Sequence, residues 1–219
     1  MKIGLYGGTF DPVHLGHIHA ALSVREHLQL DEVRMILSAR PGHRLQPQTA
    51  NNHRWKMLEL GCVEHSGLVI DDTELQRSGK SYAIDTVKKF RQQYGDTQLC
   101  WILGMDSYIT LPSWQDWCSL IHYCHIVVVQ RPGEVSAETA VGSGPLAAFE
   151  QQFRAETIGD QPAGRMVFLE LPMLSISASR VRSALAEGTS IADLVSPRVH
   201  AYLEQHSLYP TREGQFESR

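Results

Sequence analysis

The sequence predicts an α/β fold, a doubly wound parallel sheet of the Rossmann type with a small C-terminal helical portion. Three observations predict it. Short apolar runs rich in β-branched residues alternate with longer segments whose apolar residues recur at helical spacing, the pattern of repeated strand and helix units. One run, Val127-Val128-Val129, is apolar at consecutive positions, as a strand buried on both faces requires. Turns bearing glycine, serine or a carboxylate follow several strands, at the edge where open parallel sheets bind ligands.

A chain of 219 residues suits one such domain. It is expected to span residues 1–210, with the helical part near 177–208 and a polar tail over 211–219. The 20 Lys and Arg against 24 Asp and Glu give a formal charge of −4, so bulk charge favours neither nucleic acid nor a membrane surface as partner. No apolar run approaches the roughly 20 residues that span a bilayer. Met1-Lys2 leads straight into a strand, and the expected location is cytoplasmic. Cys62, Cys100, Cys118 and Cys124 contain no Cys-x-x-Cys pair, and three fall in apolar segments, which fits free thiols in a reducing compartment.

Ile3-Gly4-Leu5-Tyr6 reads as the first strand. It runs into Gly7-Gly8-Thr9-Phe10-Asp11-Pro12-Val13-His14-Leu15-Gly16-His17, and residues 18–28 are helical by spacing. The glycine pair reads as a tight turn that permits positive φ and leaves no Cβ in a ligand's way. A helix start offers free N–H donors and partial positive charge to an anion. His14 and His17 lie three apart on one face of the opening turn, with Gly16 keeping that face low. A histidine pair also suits a partial metal site, but no third ligand lies nearby and no Glu follows as in the zinc protease pattern. The string is neither a Walker A loop, for want of Lys-Ser/Thr, nor Gly-x-Gly-x-x-Gly. By itself it supports an anion site and no more.

Residues 32–37 form the second strand, followed by Ser38-Ala39-Arg40-Pro41-Gly42-His43-Arg44, whose basic residues suit either a solvated loop or a phosphate contact. Residues 51–65 are helical with Trp55, Leu58 and Cys62 on one stripe, and 68–71 make a third strand. Residues 81–94 form a helix whose apolar face carries Ile84, Val87 and Phe90. Residues 99–103 are the fourth strand, and Gly104-Met105-Asp106-Ser107 turns off its end. A glycine and a carboxylate there can meet a base and a ribose hydroxyl; helix N-capping is the plain alternative for Asp106. Trp114 and Trp117 both suit core positions, and Trp117 is expected to take one. Residues 125–130 are the fifth strand, closed by Arg131-Pro132-Gly133. Residues 134–163 lack an apolar pattern apart from a short helix near 147–154, and 166–171 are the sixth strand. Ser175-Ile176-Ser177-Ala178-Ser179-Arg180-Val181-Arg182 opens a helix to about 187. Ser177 is a natural N-cap, and Ser179 shares a face with Arg182. Capping accounts for the serines but not for an arginine near the positive helix end; a bound anion resolves that conflict. A last helix covers 197–206.

The string from Gly7 to His17 resembles the first motif of the nucleotidyltransferases related to class I aminoacyl-tRNA synthetases, most closely the bacterial nicotinate-nucleotide adenylyltransferases. The resemblance covers roughly residues 1–210. His43 and Arg44 match the end of the family's Pro-Pro-His-Lys/Arg loop, with Gly42 in place of the second proline. Ser81-Tyr82-Ala83-Ile84-Asp85-Thr86 is similar to Ser-Tyr-Thr-x-x-Thr, with Ala83 where a threonine is usual. Leu103-Gly104-Met105-Asp106 with Trp114-Gln115-Asp116-Trp117 resembles a second characteristic region, and residues 176–182 resemble Ile-Ser-x-Ser/Thr-x-Ile-Arg.

The resemblance implies transfer of AMP from ATP to nicotinate mononucleotide, giving deamido-NAD and pyrophosphate. It implies His14, His17 and Arg182 as charge stabilisers at the reacting phosphates. Gly7, Gly8, Thr9, Phe10, Gly104, Asp106, Ser177 and Ser179 would complete the ATP site. Thr9, Phe10, His43, Arg44, Ile84, Thr86, Trp114, Gln115 and Arg131 would hold the acceptor, with Trp114 stacked on its ring at ~0.5–1.5 kcal/mol beyond burial. Mg²⁺ would bridge the ATP phosphates with no protein metal ligand. The alternatives are nicotinamide mononucleotide or another phosphorylated acceptor, and a non-catalytic nucleotide-binding sensor, which the intact His14, His17 and Arg182 argue against. A tRNA-charging fragment would need a basic anticodon-binding domain that the chain lacks.

Overall fold

Strand β1 (Lys2–Gly8) stands in the middle of a six-stranded, wholly parallel sheet with the order β3-β2-β1-β4-β5-β6. The computed structural model describes residues 1–42, 46–130 and 144–209. The other strands are β2 (Glu32–Leu37), β3 (Leu68–Asp71), β4 (Gln98–Gly104), β5 (His125–Gln130) and β6 (Met166–Glu170). Seven α-helices are described: α1 (Leu15–Leu28), α2 (Asn51–Cys62), α3 (Ala83–Tyr94), α4 (Met105–Ile109), α5 (Pro145–Phe153), α6 (Ala178–Ala186) and α7 (Pro197–Gln205). The strand order reverses between β1 and β4, the switch point at which doubly wound sheets open a crevice.

Side chains alternate across the sheet with period two and so sort into two cores. Leu5, Trp101, Leu103, Ile126 and Val128 pack on one face with Val87 and Phe90 of α3. Val33, Met35, Cys100, Ile102, Val127 and Val129 pack on the other with α1 and α2. That second core also takes Val181 of α6, Leu194, and Val199 and Leu203 of α7. The C-terminal helices thus complete the sheet's own core.

Strands β2, β3 and β5 coincide with the sequence expectation. Strand β1 does not: Gly7 and Gly8 remain in it, paired with Ile36 and Leu37, so the glycine pair is strand and the turn is residues 9–14. Helix α1 starts at Leu15 and α3 at Ala83, while α2 ends at Cys62 instead of residue 65. His43, Arg44, Arg131 and the tail 211–219 lie outside the described residues. Among the described residues, no helix is long and apolar enough to cross a membrane. Cys62, Cys100 and Cys124 are buried and Cys118 is exposed, all as free thiols.

Candidate active site

The carboxyl ends of β1, β2 and β4, with the start of α6, enclose a cavity of about 510 Å³, within the range of small-molecule sites. Of the residues singled out from the sequence, Gly7, Gly8, Thr9, His14, His17, Gly104, Asp106, Trp114, Ser177 and Ser179 line it. Four separate stretches of sequence therefore converge on one crevice.

His14 is the N-cap of α1, with extended φ −142° and ψ 168°. Its Nδ1 accepts the His17 backbone N–H at 3.3 Å, and His17 Nδ1 accepts the His14 backbone N–H at 3.3 Å. This is a capping box made of two imidazoles. The rings stack with centroids 3.6 Å apart and 22° between planes. With Nδ1 committed as an acceptor, each ring carries its proton on Nε2 and keeps one N–H donor. Burial lowers the His14 pKa from 6.5 to about 4; burial, then the neighbouring His14, hold His17 well below its ordinary value. Near neutral pH the cavity wall therefore holds two uncharged N–H donors.

Neither Gly7 nor Gly8 has positive φ; Phe10 does, at 45°. A Cβ on Gly8 would sit 2.9 Å from the Phe10 ring, and one on Gly7 3.1 Å from the Trp101 ring. Close ring packing, not a left-handed turn, requires these glycines. Phe10 is correspondingly buried at 1% exposure and is not among the residues that line the cavity. Gly16 has a similar reason: a Cβ there would lie 3.0 Å from His14 Nδ1 and 3.3 Å from the Ile176 carbonyl oxygen.

Ser177 caps α6 as expected, its Oγ accepting the Arg180 N–H at 3.2 Å. Arg182 departs from expectation. Because α6 begins at Ala178, Arg182 lies beyond the first turn, where the dipole penalty has faded. Its side chain leans back toward the helix start and donates to the Asp11 carbonyl at 2.7 Å and to Ser179 Oγ at 3.2 Å. It does not line the cavity. In this structure a carbonyl on the first motif holds this arginine.

At the end of β4 Gly104, not Asp106, is the N-cap of α4; Asp106 is exposed in the first helical turn and makes no cap bond. Trp114 is half-buried on the cavity wall, whereas Trp117 turns away to pack on Phe149 at 4.8 Å between centroids, as expected. Gln115 is exposed and off the cavity. Ile84 and Thr86 are buried in α3 and also off it; the Thr86 hydroxyl donates to Glu74 Oε1 at 2.9 Å. Ala83 is the α3 residue on the wall.

The cytidylyltransferase-like family matches residues 5–184. A protein of Pseudomonas fluorescens named "probable nicotinate-nucleotide adenylyltransferase" is 42% identical over 214 residues, covering 95% of this chain and 97% of that one. The chain belongs to the nicotinate-nucleotide adenylyltransferase family. A second adenylyltransferase relative, from Methylococcus capsulatus, is 39% identical over 94% of this chain and 99% of its own. The nicotinic acid mononucleotide adenylyltransferase of Plasmodium falciparum, solved in complexes with APC and with NaAD, shares the fold at TM-score 0.71 and 19% identity. Each of these alignments covers 95% of this chain; 96% of the other chain is covered in the first and 97% in the second.

Several residues that build this adenylyltransferase site were not singled out from the sequence. Arg54, 1% exposed, donates to the carbonyls of Thr9 at 2.6 Å, Ser38 at 2.9 Å, Thr49 at 3.1 Å and Ala39 at 3.2 Å, and to Asn51 Oδ1 at 2.5 Å. It ties the ends of β1 and β2 to the start of α2. Its signal was present: an arginine four residues before Leu58, on the apolar stripe of α2. Glu74 lines the cavity at 4% exposure, and burial pushes its carboxyl up against the opposing pull of Ser81, Thr86, Ser38 and Arg77. Nothing in its local sequence marks it, since burial there comes from α3 and the loop after β2. Trp101 joins the wall because β4 abuts Gly7.

Proposed function

We propose that this chain transfers AMP from ATP to nicotinate mononucleotide, forming deamido-NAD and pyrophosphate in NAD biosynthesis. The observation that carries the reading is the convergence of the paired imidazole N–H donors and the capped start of α6 on one side of the cavity, with Asp106 and Trp114 also on its wall. The names of the relatives at 42% and 39% identity and the NaAD-bound structure agree with it.

The acceptor phosphate attacks the α-phosphorus of ATP, and pyrophosphate leaves. A phosphate monoester has a second pKa near 6 and is mostly dianionic at neutral pH, so the nucleophile needs no general base. His14 and His17, held uncharged near neutral pH, do not act as acids; they donate hydrogen bonds to phosphate oxygens whose charge grows toward the leaving group. The Nδ1 bonds hold both rings in place beforehand. Ser177 and Ser179 hold the β and γ phosphates. Arg182 fixes the first motif against α6 through Asp11. Asp106 receives the adenosine side and Trp114 stacks on the pyridine ring.

Mg²⁺ would be carried in on the ATP phosphates, without a dedicated set of protein ligands. When bound, Mg²⁺ neutralises phosphate charge. Residues 1–210, the C-terminal helices included, act as one nucleotidyltransferase unit, which their contribution to the sheet's core supports. Four free thiols support a cytoplasmic location.

The test is pyrophosphate release from ATP with nicotinate mononucleotide or nicotinamide mononucleotide as acceptor. Turnover with the acid, and at least tenfold less kcat/KM with the amide, is expected. Preference for the amide would reassign the acceptor, and no release with either would overturn the reading.

A further inference from the structure

Asp11 sits inside the first motif, 6% exposed, between Phe10 at positive φ and Pro12. Three segments distant in sequence meet on it. The Gln48 backbone N–H, ahead of α2, donates to Oδ2 at 3.1 Å. Arg182 of α6 donates to its carbonyl at 2.7 Å. The Tyr209 hydroxyl, 198 residues along the chain, donates to Oδ1. Both side-chain oxygens act as acceptors, so Asp11 organises donors from distant segments. Tyr209 has a positive φ of 57°, and its ring packs against the apolar core beside α7. Burial and the bond to Asp11 raise its pKa, so the phenol keeps its proton and stays a donor.

We propose that Tyr209 is a positioning residue for adenylyl transfer: its hydroxyl, through Asp11, clamps the turn over residues 9–14 from which the His14 and His17 capping box springs. The inference rests on the function proposed above. The chemistry of the clamp is specific. Removing the hydroxyl leaves a buried carboxylate oxygen without its donor, and such a group seeks water or another partner by moving. The segment that would move carries Thr9 and His14 on the cavity wall. Tyr209 thereby acts on turnover although it is not among the residues that line the cavity.

Tyr209→Phe tests this, since it keeps the ring's packing and deletes only the donor. Tyr202→Phe is the matched control: that hydroxyl, on α7, bonds His53 Nδ1 at 2.9 Å and does not reach the first motif. In Tyr209→Phe, kcat should fall about tenfold with KM for the acceptor within twofold, and amide hydrogen exchange over residues 9–17 should quicken about tenfold. Tyr202→Phe should leave both at wild-type levels whatever its effect on Tm. Wild-type turnover in Tyr209→Phe, unchanged exchange over 9–17, or equal losses in both variants would overturn the proposal. The exchange readout needs no substrate, so it decides the clamp even if the wild-type enzyme released no pyrophosphate.

Discussion

On the function proposed above, each cavity histidine has two jobs on two different nitrogens. Nδ1 caps α1, and Nε2 carries the N–H left for a phosphate. Substitution can separate them. Asparagine places its Oδ1 near the position of histidine Nδ1 and is a strong N-cap, so His14→Asn should keep stability within ~1 kcal/mol while lowering kcat ~10²-fold or more. Glutamine extends an N–H toward the Nε2 position but lacks the Nδ1 acceptor. His17→Gln should therefore retain more turnover than His17→Ala, yet lose ~1 kcal/mol of stability with the cap. Urea melts and pyrophosphate release on the three variants check this. If His14→Asn kept normal turnover, the charge-stabilising role would pass elsewhere. The sequence disclosed that these histidines share a helical face. It did not disclose the capping box, because histidine is not among the usual cap residues and the ring stacking depends on tertiary burial.

At the level of elements, the site is where three loops are stitched together by polar groups that the hydrophobic pattern does not show. Arg54 takes carbonyls from the ends of β1 and β2 and from the turn before α2. Arg54→Met should be among the most damaging substitutions in the chain, because it strands several buried carbonyls at once. A loss of ~3–5 kcal/mol in urea denaturation is expected. Arg54→Lys, with charge but no planar fork, should recover only part of it; full recovery by lysine would show that charge, not geometry, matters there. Strands β2, β3 and β5 match residue for residue, β5 most plainly because it is buried on both faces. The start of α3 was less legible, expected at 81 and found at Ala83: Tyr82 at its N-cap makes no side-chain cap bond, so no capping signal marks it. Gly7 and Gly8 are a different case: as a pair they read as backbone freedom, but neighbouring Trp101 and Phe10 rings are what exclude a Cβ.

For the whole molecule, buried ionisable groups set a stability profile with opposing slopes. His125, fully buried, bonds the Gln161 carbonyl through Nε2 at 2.8 Å and accepts the Arg165 N–H at Nδ1 at 3.3 Å, so it too is held neutral. Burial lowers the pKa of His14, His17 and His125 below 6.5. The unfolded chain takes up protons at these sites below pH 6.5 and the folded chain does not, so stability falls as pH drops through that window. For His14 alone, a change from 6.5 to about 4 corresponds to ~3 kcal/mol by pH 4. Glu74 opposes this: its pKa is raised, so its contribution is present in acid and is lost as pH rises above 4.5. Three histidines outweigh one carboxyl, and the net slope from pH 4.5 to 6.5 is upward. At the alkaline end the buried Cys62 and Cys100 thiols are pushed up to about 12 from 9, mainly by burial. Unfolded thiols ionise first, so stability is lost again above pH 9. Urea midpoints measured from pH 4.5 to 10 should form a plateau between about 7 and 9 with a fall on each side. In His14→Asn the acid limb should flatten while the alkaline limb stays, because only the first depends on an imidazole kept neutral by burial. An unchanged acid limb in that variant would mean that His14 charges freely in the folded protein, and would remove the basis for treating the pair as neutral donors.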